Sequence, residues 1–596
     1  MCGIAGILDF QKKINNPIQL IKKLNELNKS RGPDNNNIWT DKDQKIFFGH
    51  TRLSIIDLSN KGCQPFFSID KKITLIFNGE IYNYKELKKI LIKKNYNFFS
   101  NSDTEVILHS YSEWGMKFIN KLRGMFAISI WDDNIKKLIL IKDQFGIKPL
   151  YYSIDNKIFC FSSSIKSLIN SKIVSNKKSP TSYTNYLLWG NTIDPDTIYE
   201  KIKSVEKGTY VVIDEYNNVV IKKYTDLIET IQNVNRIVFK NTNEAKSYLK
   251  EIIHETVNAH LVSDVNLGVA LSSGLDSNLI LDNIEVTHLK NIQALTVDFN
   301  IDGSVTDEKK IAKEFSLKKN IKHKIFNLNN LDINSELNSF FKEMDTPTND
   351  GFNTYVLSKF AKQNDTKVLL TGVGADELFS GYPSFYRAKN YLYILKLLAN
   401  LNFNQIPKKT LLFLSQKFNF NSKFSEIFNV KSLLDLFLLT RRVFLNDEIK
   451  DILNEYKIEN KSYIANPTII DPNFNNMSIN EQLMYLEIEY YLCPKLLKDS
   501  DWSSMSNSIE LRTPFVDWKF FNNYLKLFKS NIKIDKKFVY ETFKETLPTD
   551  LKDRKKSSFG IPHNYLLNKL NININSKHNL KKWSLASLDN YFNYNK

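Results

Sequence analysis

Near residue 244 the hydrophobic pattern of this 596-residue chain changes period. Up to about residue 215 it is made of short apolar runs bounded by Asn, Gly and Asp, among them KIFFGHTRLSIIDL, ITLIFNGEIYN, MFAISIWDD, KLILIKDQ, LYYSID and TYVVIDEYNNVVIKKY. Alternating side chains in short runs of this kind predict antiparallel sheet. Only the stretches around 17–29, 84–95 and 103–119 look helical. From 244 a helical stretch, EAKSYLKEIIHETVNAHLV, leads to the run LGVAL, a Ser/Gly turn and another helix, and IQALTVDF and TKVLLTGVG follow as buried strands between helices. That alternation predicts an α/β domain with a parallel sheet. Beyond about 386 the pattern is mostly helical, and the apolar stretch 391–440 reads as core and packing helices. The chain therefore divides into a domain over 1–215, a polar linker over 216–243 and a domain over 244–596, long enough for two cores.

Composition excludes several classes. Hydrophobic residues make up 42% and aromatic residues 13%, which is globular rather than disordered. There is no apolar run of about 18 residues, so no membrane-spanning helix is expected. The start, MCGIAGILDF, lacks a basic n-region and a cleavage site, which leaves a cytoplasmic location as the expectation. Cys2, Cys63, Cys160 and Cys493 form no C-x-x-C pair, and none lies near a histidine at zinc-ligand spacing, so neither structural zinc nor a disulfide framework is expected. The net charge of +17 comes from lysines scattered along the chain, without a basic stripe interleaved with aromatics, and predicts no nucleic-acid partner. Nine arginines stand against 73 lysines. Where Lys is the usual cation, an Arg points to a position needing a planar, bidentate donor; Arg31, Arg52, Arg512 and Arg554 all fall inside the motifs below.

Cys2 follows the initiator Met directly. Loss of that Met would leave a free α-amino group beside the thiol. Such an amine has a pKa near 7.7–8.0, so roughly a third of it is unprotonated near pH 7.5, against about 0.1% of a lysine. It can serve as a general base at neutral pH. Acyl transfer also needs donors aimed at a developing oxyanion. FNGEIYN offers Asn78 and Gly79 at the end of an apolar run, although Asn-Gly is equally the signature of a hairpin turn.

MCGIAGI, RGPD, GHTRLSIIDLS, QPF, FNGEIYNY, SDTEVIL, RGMFAISIWD, FGIKPLYY and FSSSIKSL follow one another in order. Together they resemble the class II glutamine amidotransferase domain of the glutamine-hydrolysing asparagine synthetase family, over nearly all of residues 1–215. The resemblance implies an α+β, Ntn-hydrolase-type α-β-β-α sandwich. It makes Cys2 the nucleophile and Asn78 with Gly79 the oxyanion hole. Glutamine would be bound by Arg52, Leu53, Ser54, Ile55 and Ile56, by Asn78, Gly79 and Glu80, and by Asp103. Arg52 suits its α-carboxylate and Asp103 its α-ammonium, though Asp103 also fits a helix cap. Departures are Ser30 for a usual His, Lys142 and Gln144 for usual arginines, and Ser164 for a usual Glu.

In the second half LGVAL runs into Ser272-Ser273-Gly274-Leu275-Asp276-Ser277 and a helix. A Ser/Gly turn at a helix N-terminus presents N–H groups and hydroxyls to phosphate, and an acid in it can hold magnesium. Walker spacing is absent, and such turns are also ordinary strand–helix connectors. The segment resembles the pyrophosphate loop of AMP-forming amidating enzymes, with Ser273 in place of the first Gly, which requires negative φ there. LLTGVGADELFSGY (369–382), SMSNSIELRTPFVD (504–517) and RKKSSFGIP (554–562) resemble later motifs of the same synthetase domain, an α/β ATP-pyrophosphatase domain with a parallel sheet and added helices. The resemblance implies ATP contacts at Leu271, Ser272, Ser273, Gly274, Asp276, Ser277, Val297, Thr371 and Gly372. It also implies Mg²⁺ at Asp276 and Asp376, and Lys556 as the stabiliser of charge on pyrophosphate or adenylate. Taken alone, Lys556 is equally a solvated lysine in a basic run.

The expected activity is glutamine hydrolysis at Cys2 coupled to ATP-dependent adenylation and amidation of a carboxylate, with glutamine, ATP and the acceptor as small-molecule partners. A homodimer is left open. The Ser/Gly loop argues against a sugar-phosphate aminotransferase, and retention of Cys2, Asp276, Asp376 and Lys556 argues against a non-catalytic regulator. Aspartate is the default acceptor, but three departures bear on it. Val373 stands where aspartate-using relatives carry Glu, Asp499 where they carry Lys, and Trp502 where they carry Arg, with Lys498 one position away. A Trp face could stack on a sugar, and the segments 345–355 and 381–385 resemble relatives linked to surface polysaccharide, so a uronic-acid carboxylate is the rival acceptor.

Overall fold

Residues 1–223 carry twelve strands, β1 (Gly3–Leu8), β2 (Asn35–Thr40), β3 (Ile46–Arg52), β4 (Phe66–Phe67), β5 (Ile73–Ile81), β6 (Gly124–Asp132), β7 (Lys137–Lys142), β8 (Tyr151–Asp155), β9 (Ile158–Ser162), β10 (Ile202–Ser204), β11 (Thr209–Asp214) and β12 (Val219–Lys223), in a computed structural model. The structure describes residues 1–155, 157–298, 307–386, 430–458, 471–551, 561–572 and 579–595, together with 388, 390, 391, 393, 423 and 426. The strands form two antiparallel six-stranded sheets, ordered β10-β8-β9-β1-β3-β2 and β12-β11-β7-β6-β5-β4. Alternation along each strand builds the layers. Ile4, Leu8, Phe48 and Phe161 of the first sheet meet Ile76, Trp131, Leu138 and Leu140 of the second in one apolar core between the sheets. The intervening residues, such as Ala5, Ile7, Leu75 and Phe77, face outward and are buried under helices. The helix Pro17–Leu27 covers the first sheet with Ile21 and Leu24, and the helix Asp103–Trp114 covers the second. This is the α-β-β-α sandwich.

The expected helices are present as Pro17–Leu27, Tyr84–Lys93 and Asp103–Trp114. Two more, Ile165–Ser171 and Pro180–Trp189, correct the reading that only three stretches of this half are helical. Their signals are caps rather than periodicity: Ser164 accepts the Ser167 N–H, Ser179 accepts the Ser182 N–H, and Pro180 opens the second helix. Residues 216–243 are structured too, carrying β12, which extends the second sheet beyond β11, and the helix Leu227–Asn233.

The second half holds β13 (Leu267–Ala270), β14 (Ile292–Asp298), β15 (Lys322–Asn327), β16 (Val368–Leu370) and β17 (Glu510–Arg512), all parallel, in the order β15-β14-β13-β16-β17. After β13 the chain moves to β14 on one side and, later, to β16 on the other. The carboxyl ends of β13 and β16 therefore flank a topological switch point, where open α/β sheets bind ligands. Much of the expected helical stretch 391–440 lies outside the described residues, and its last part is the helix Leu433–Arg441. No helix among the described residues is long and apolar enough to cross a membrane.

Candidate active sites in the two domains

Cys2 lies just before β1, which pairs with β3 and β9 at the centre of the first sheet. Its N–H donates to Asn78 Oδ1 at 3.0 Å, while Asn78 Nδ2 is buried with no hydrogen-bond partner among the described residues. A buried amide donor left unsatisfied costs on the order of 1–3 kcal/mol unless something fills it. Asn78 and Gly79 are not at a hairpin turn: they lie inside β5, opposite Ala127 and Phe126 of β6. Gly79 is required by close approach, since a Cβ there would fall 2.1 Å from the Met125 carbonyl oxygen. Burial pushes the Cys2 thiol up, and the adjacent amino terminus works in the opposite direction.

A cavity beside Cys2 is lined by Arg52, Leu53, Ile55, Ile56, Gly79, Glu80 and Asp103. Ser54 is not among its lining residues; its N–H donates to Asp34. Arg52 binds the carbonyl oxygens of Ile56, Asp57 and Ser59, which shapes the loop around the cavity. Among the described residues no carboxylate lies within ion-pair distance of Arg52. Asp103 opens the helix Asp103–Trp114, but Ser102 is its cap. The Asp103 carboxylate instead accepts the Ile81 N–H at 3.1 Å, and burial pushes it up to about 6. Among the described residues the cavity thus has a guanidinium without an acid partner and a buried acid without a cation, the two ends an amino acid would satisfy.

Glu510, on β17 of the second domain, also lines this cavity. Its Oε2 lies 3.1 Å from the Met1 ammonium and its Oε1 accepts Arg512 Nε at 2.6 Å. Burial alone would raise Glu510, but the terminal ammonium and Arg512 hold it down at about 2. Arg512 is fully buried; its Nη2 reaches Glu80 Oε2 at 3.1 Å and its Nη1 donates to the His260 and Val262 carbonyls. Burial, reinforced by Asp103 and Glu510, holds Glu80 well above the carboxylate range in spite of Arg512. Arg31 binds the Cys2 carbonyl at 3.2 Å and Asp501 at 2.8 Å. The sparse arginines Arg31 and Arg512 are thus multidentate groups where the two domains meet.

At the switch point, Ser272 to Ser277 follow β13 and lead into the helix Leu275–Asn283. Ser273 is buried and is absent from the positive-φ positions, so the Gly-to-Ser exchange fits its backbone. The Ser277 hydroxyl bonds the Ser272 backbone N–H and oxygens of Ser272 and Gly274, holding the turn closed. Val297 lies in β14, and the Leu271 N–H donates to Leu295. Thr371 and Gly372 follow β16; the Thr371 N–H donates to Arg512 O, and its buried hydroxyl has no partner among the described residues. A Cβ on Gly372 would sit 2.8 Å from Asp276 Cβ, so glycine lets the two loops touch.

Asp276 and Asp376, from separate loops, converge on one ammonium: Lys536 Nζ lies 2.9 Å from Asp276 Oδ2 and 2.5 Å from Asp376 Oδ1. Burial works against that charge, but the two carboxylates outweigh it and hold Lys536 above the usual lysine range. A pair of carboxylates already arranged around a cation fits a divalent ion with oxygen ligands. Among the described residues no group of three or more His, Cys, Asp or Glu side chains could hold a metal, so the rest of such a shell would come from phosphate and water. Lys536 was not singled out from sequence: it is one lysine among Lys533, Lys536 and Lys537 in a lysine-rich chain. Lys556, Arg554 and Phe559 lie outside the described residues.

The departures near the expected acceptor side have structural partners. Trp502 is 5% exposed, its ring centroid 5.2 Å from that of Phe340 and its Nε1 donating to Asp499 at 3.1 Å. It is a core side chain here and offers no open face for a sugar, which removes that support for a uronic-acid acceptor. Asp499 also accepts the Thr348 hydroxyl at 2.7 Å, and burial, with Asp350 nearby, pushes it up to about 7. Lys498 turns to Asp194 of the first domain at 2.5 Å. Ser164, in place of a usual Glu, bonds Asp345, which also takes the N–H groups of Ile165 and Lys166 from across the domain boundary.

Residues 1–225 match the family described as a glutamine amidotransferase domain, and residues 248–594 match the one described as asparagine synthase. The chain is similar to asparagine synthetase [glutamine-hydrolyzing] 1 of Bacillus subtilis, 31% identical over 96% of this chain and 89% of that protein. It is 26% identical to asparagine synthetase [glutamine-hydrolyzing] 3 of the same organism, over 94% of this chain and 87% of that one. It is 28% identical to a putative asparagine synthetase [glutamine-hydrolyzing] 2 of Methanocaldococcus jannaschii, over 86% of this chain and all of that one.

Proposed function

Because this chain belongs to the glutamine-hydrolysing asparagine synthetase family, we propose that it amidates aspartate, with ammonia released from glutamine at Cys2 and with ATP cleaved to AMP and pyrophosphate. The observation that carries the first half-reaction is the divided Asn78 amide, its oxygen on Cys2 N–H and its buried Nδ2 unpartnered among the described residues. With Met1 removed, the Cys2 α-amine takes the thiol proton. The sulfur attacks the glutamine side-chain carbon, and Asn78 Nδ2 with the Gly79 N–H takes the oxyanion. Ammonia leaves with a proton returned from that amine, and water resolves the thioester to glutamate and free thiol. Arg52 holds the α-carboxylate of glutamine and Asp103 its ammonium.

In the second half-reaction the loops after β13 and β16 hold ATP while the acceptor carboxylate displaces pyrophosphate from the α-phosphorus. Ammonia then attacks the acyl carbon and AMP leaves. Asp276 and Asp376 would hold Mg²⁺, which when bound offsets triphosphate charge. Lys536, between the same carboxylates, keeps them in place and supplies positive charge toward the phosphates. Lys556 is assigned, from its motif, to the departing pyrophosphate.

Aspartate is favoured over a uronic acid because Trp502 is buried against Phe340. The test is pyrophosphate release in the presence of ATP, magnesium and glutamine with either aspartate or a nucleotide-linked uronic acid. Aspartate-dependent release at a KM in or below the low-millimolar range of working enzymes is expected. Release with the uronic acid alone would overturn the assignment.

A further inference from the structure

Arg441 ends the helix Leu433–Arg441 and turns toward the segment that follows β16. Its guanidinium carbon lies 3.8 Å from the ring centroid of Tyr491 and 4.4 Å from that of Tyr382. Those two rings meet edge to face at 6.1 Å. One arm of the guanidinium, Nη2, is bound to Glu487, whose side chain is fully buried, whereas the Arg441 side chain stays 20% exposed. Tyr382 is fixed in turn by its hydroxyl, which donates to Glu377 Oε1 at 2.5 Å. Tyr382 is two residues past Ser380, and the intervening Gly381 N–H donates to the Asp376 carbonyl at 2.8 Å. The clamp therefore stands one residue along the chain from the segment that packs on Asp376.

A guanidinium has five N–H donors in a fixed plane. Glu487 is the only hydrogen-bond acceptor recorded for Arg441 among the described residues. The tyrosine rings cover it without accepting its in-plane donors. A fork held flat, desolvated on its ring-covered sides and only partly used suits a second carboxylate better than a flexible lysine would.

We propose that Arg441, clamped between Tyr382 and Tyr491 and oriented by Glu487, binds the acceptor carboxylate that is not adenylated, and so selects for acceptors carrying two carboxylates. This rests on the aspartate reading above. The ammonium of the acceptor and its reacting carboxylate are left to other groups; Arg441 fixes only the non-reacting end.

The experiment compares aspartate with 3-aminopropanoate, which keeps the reacting carboxylate and the amine but lacks the second carboxylate. Pyrophosphate release is followed with ammonium chloride as nitrogen donor, in wild type, Arg441→Lys and Arg441→Ala. Wild type is expected to prefer aspartate strongly in kcat/KM. In Arg441→Ala the aspartate KM rises about 10²-fold and the preference collapses toward one, with a smaller change in Arg441→Lys, which keeps the ion pair with Glu487. The KM for ATP and the glutaminase rate stay within about twofold in both variants, because a lost carboxylate partner is local. A role confined to neutralising Glu487 would lower activity toward both acceptors equally and leave the preference intact, which would overturn the assignment. Arg441→Lys keeps the test valid if the alanine variant does not fold. Wild type inactive with aspartate would overturn the acceptor reading itself, and this inference with it.

Discussion

Asp103 is a buried acid that accepts the Ile81 N–H and has no cation within ion-pair distance among the described residues. Burial pushes it up to about 6, from an ordinary value of 3.8. Below about pH 4 the carboxyl is protonated in both folded and unfolded chains and contributes nothing. Between about 4 and 6 the unfolded chain releases a proton that the folded one keeps, so stability falls as pH rises. Above about 6 the full penalty, on the order of 3 kcal/mol, is present. Glutamine's ammonium would relieve it, so the glutamine KM should fall as pH rises through 6. Asp103→Asn should raise that KM about 10²-fold and also stabilise the unliganded protein at pH 7.5 but not at pH 4. Denaturant melts at both pH values check the second half; a variant destabilised at pH 7.5 would show that Asp103 is structural. Cys2, Asn78 and Asp103 were legible in the sequence because each sits in a motif with a stated chemical need. Lys536 and Arg441 were not, because one is hidden among lysines and the other makes its contacts through residues far away in sequence. Trp502 was misread for the same reason: substitution of Arg by Trp says nothing about whether the indole faces solvent or Phe340.

Strand β17 is three residues long, yet it joins the two sites. Glu510 and Arg512 are two apart, on the same side of the strand, and both reach into the first domain. Through its backbone oxygen Arg512 also receives the Thr371 N–H beside the Ser/Gly loop. Arg512→Met would leave Glu80 and Glu510 buried without their shared cation. Removing one partner of a buried pair costs about 3–5 kcal/mol, which should appear as a lower denaturation midpoint together with a raised glutamine KM. An unchanged KM would mean that Glu80 does not depend on Arg512 for its position. Strands β13, β14 and β16 were legible as buried apolar runs between helices, but β17, flanked by charges, has no hydrophobic period to read. The helices Ile165–Ser171 and Pro180–Trp189 were missed because most of their side chains, polar ones such as Ser167, Ser182 and Asn185 included, are buried, which erases the one-sided stripe that marks a helix in sequence.

At the scale of the whole molecule the two domains are locked by buried charges. Arg31 and Lys148 of the first domain share Asp501 of the second, Lys498 crosses to Asp194, and Arg123 binds Asp517 at 2.8 Å. No single motif announced this interface, since each partner lies hundreds of residues from the other. Under the proposed function two chemistries share this one body through separate residues, Cys2 assigned to nitrogen release and Asp276 with Asp376 assigned to ATP. The decisive measurement counts glutamate, AMP and pyrophosphate formed from glutamine, ATP, magnesium and aspartate by wild type, Cys2→Ala and Asp276→Asn. Wild type should form all three in near-equal amounts. Cys2→Ala should form no glutamate but recover AMP and pyrophosphate when ammonium chloride is added. Asp276→Asn should keep basal glutaminase activity and lose AMP formation by about 10²-fold or more. ADP as the nucleotide product, or glutamate formed by Cys2→Ala at the wild-type rate, would contradict the account.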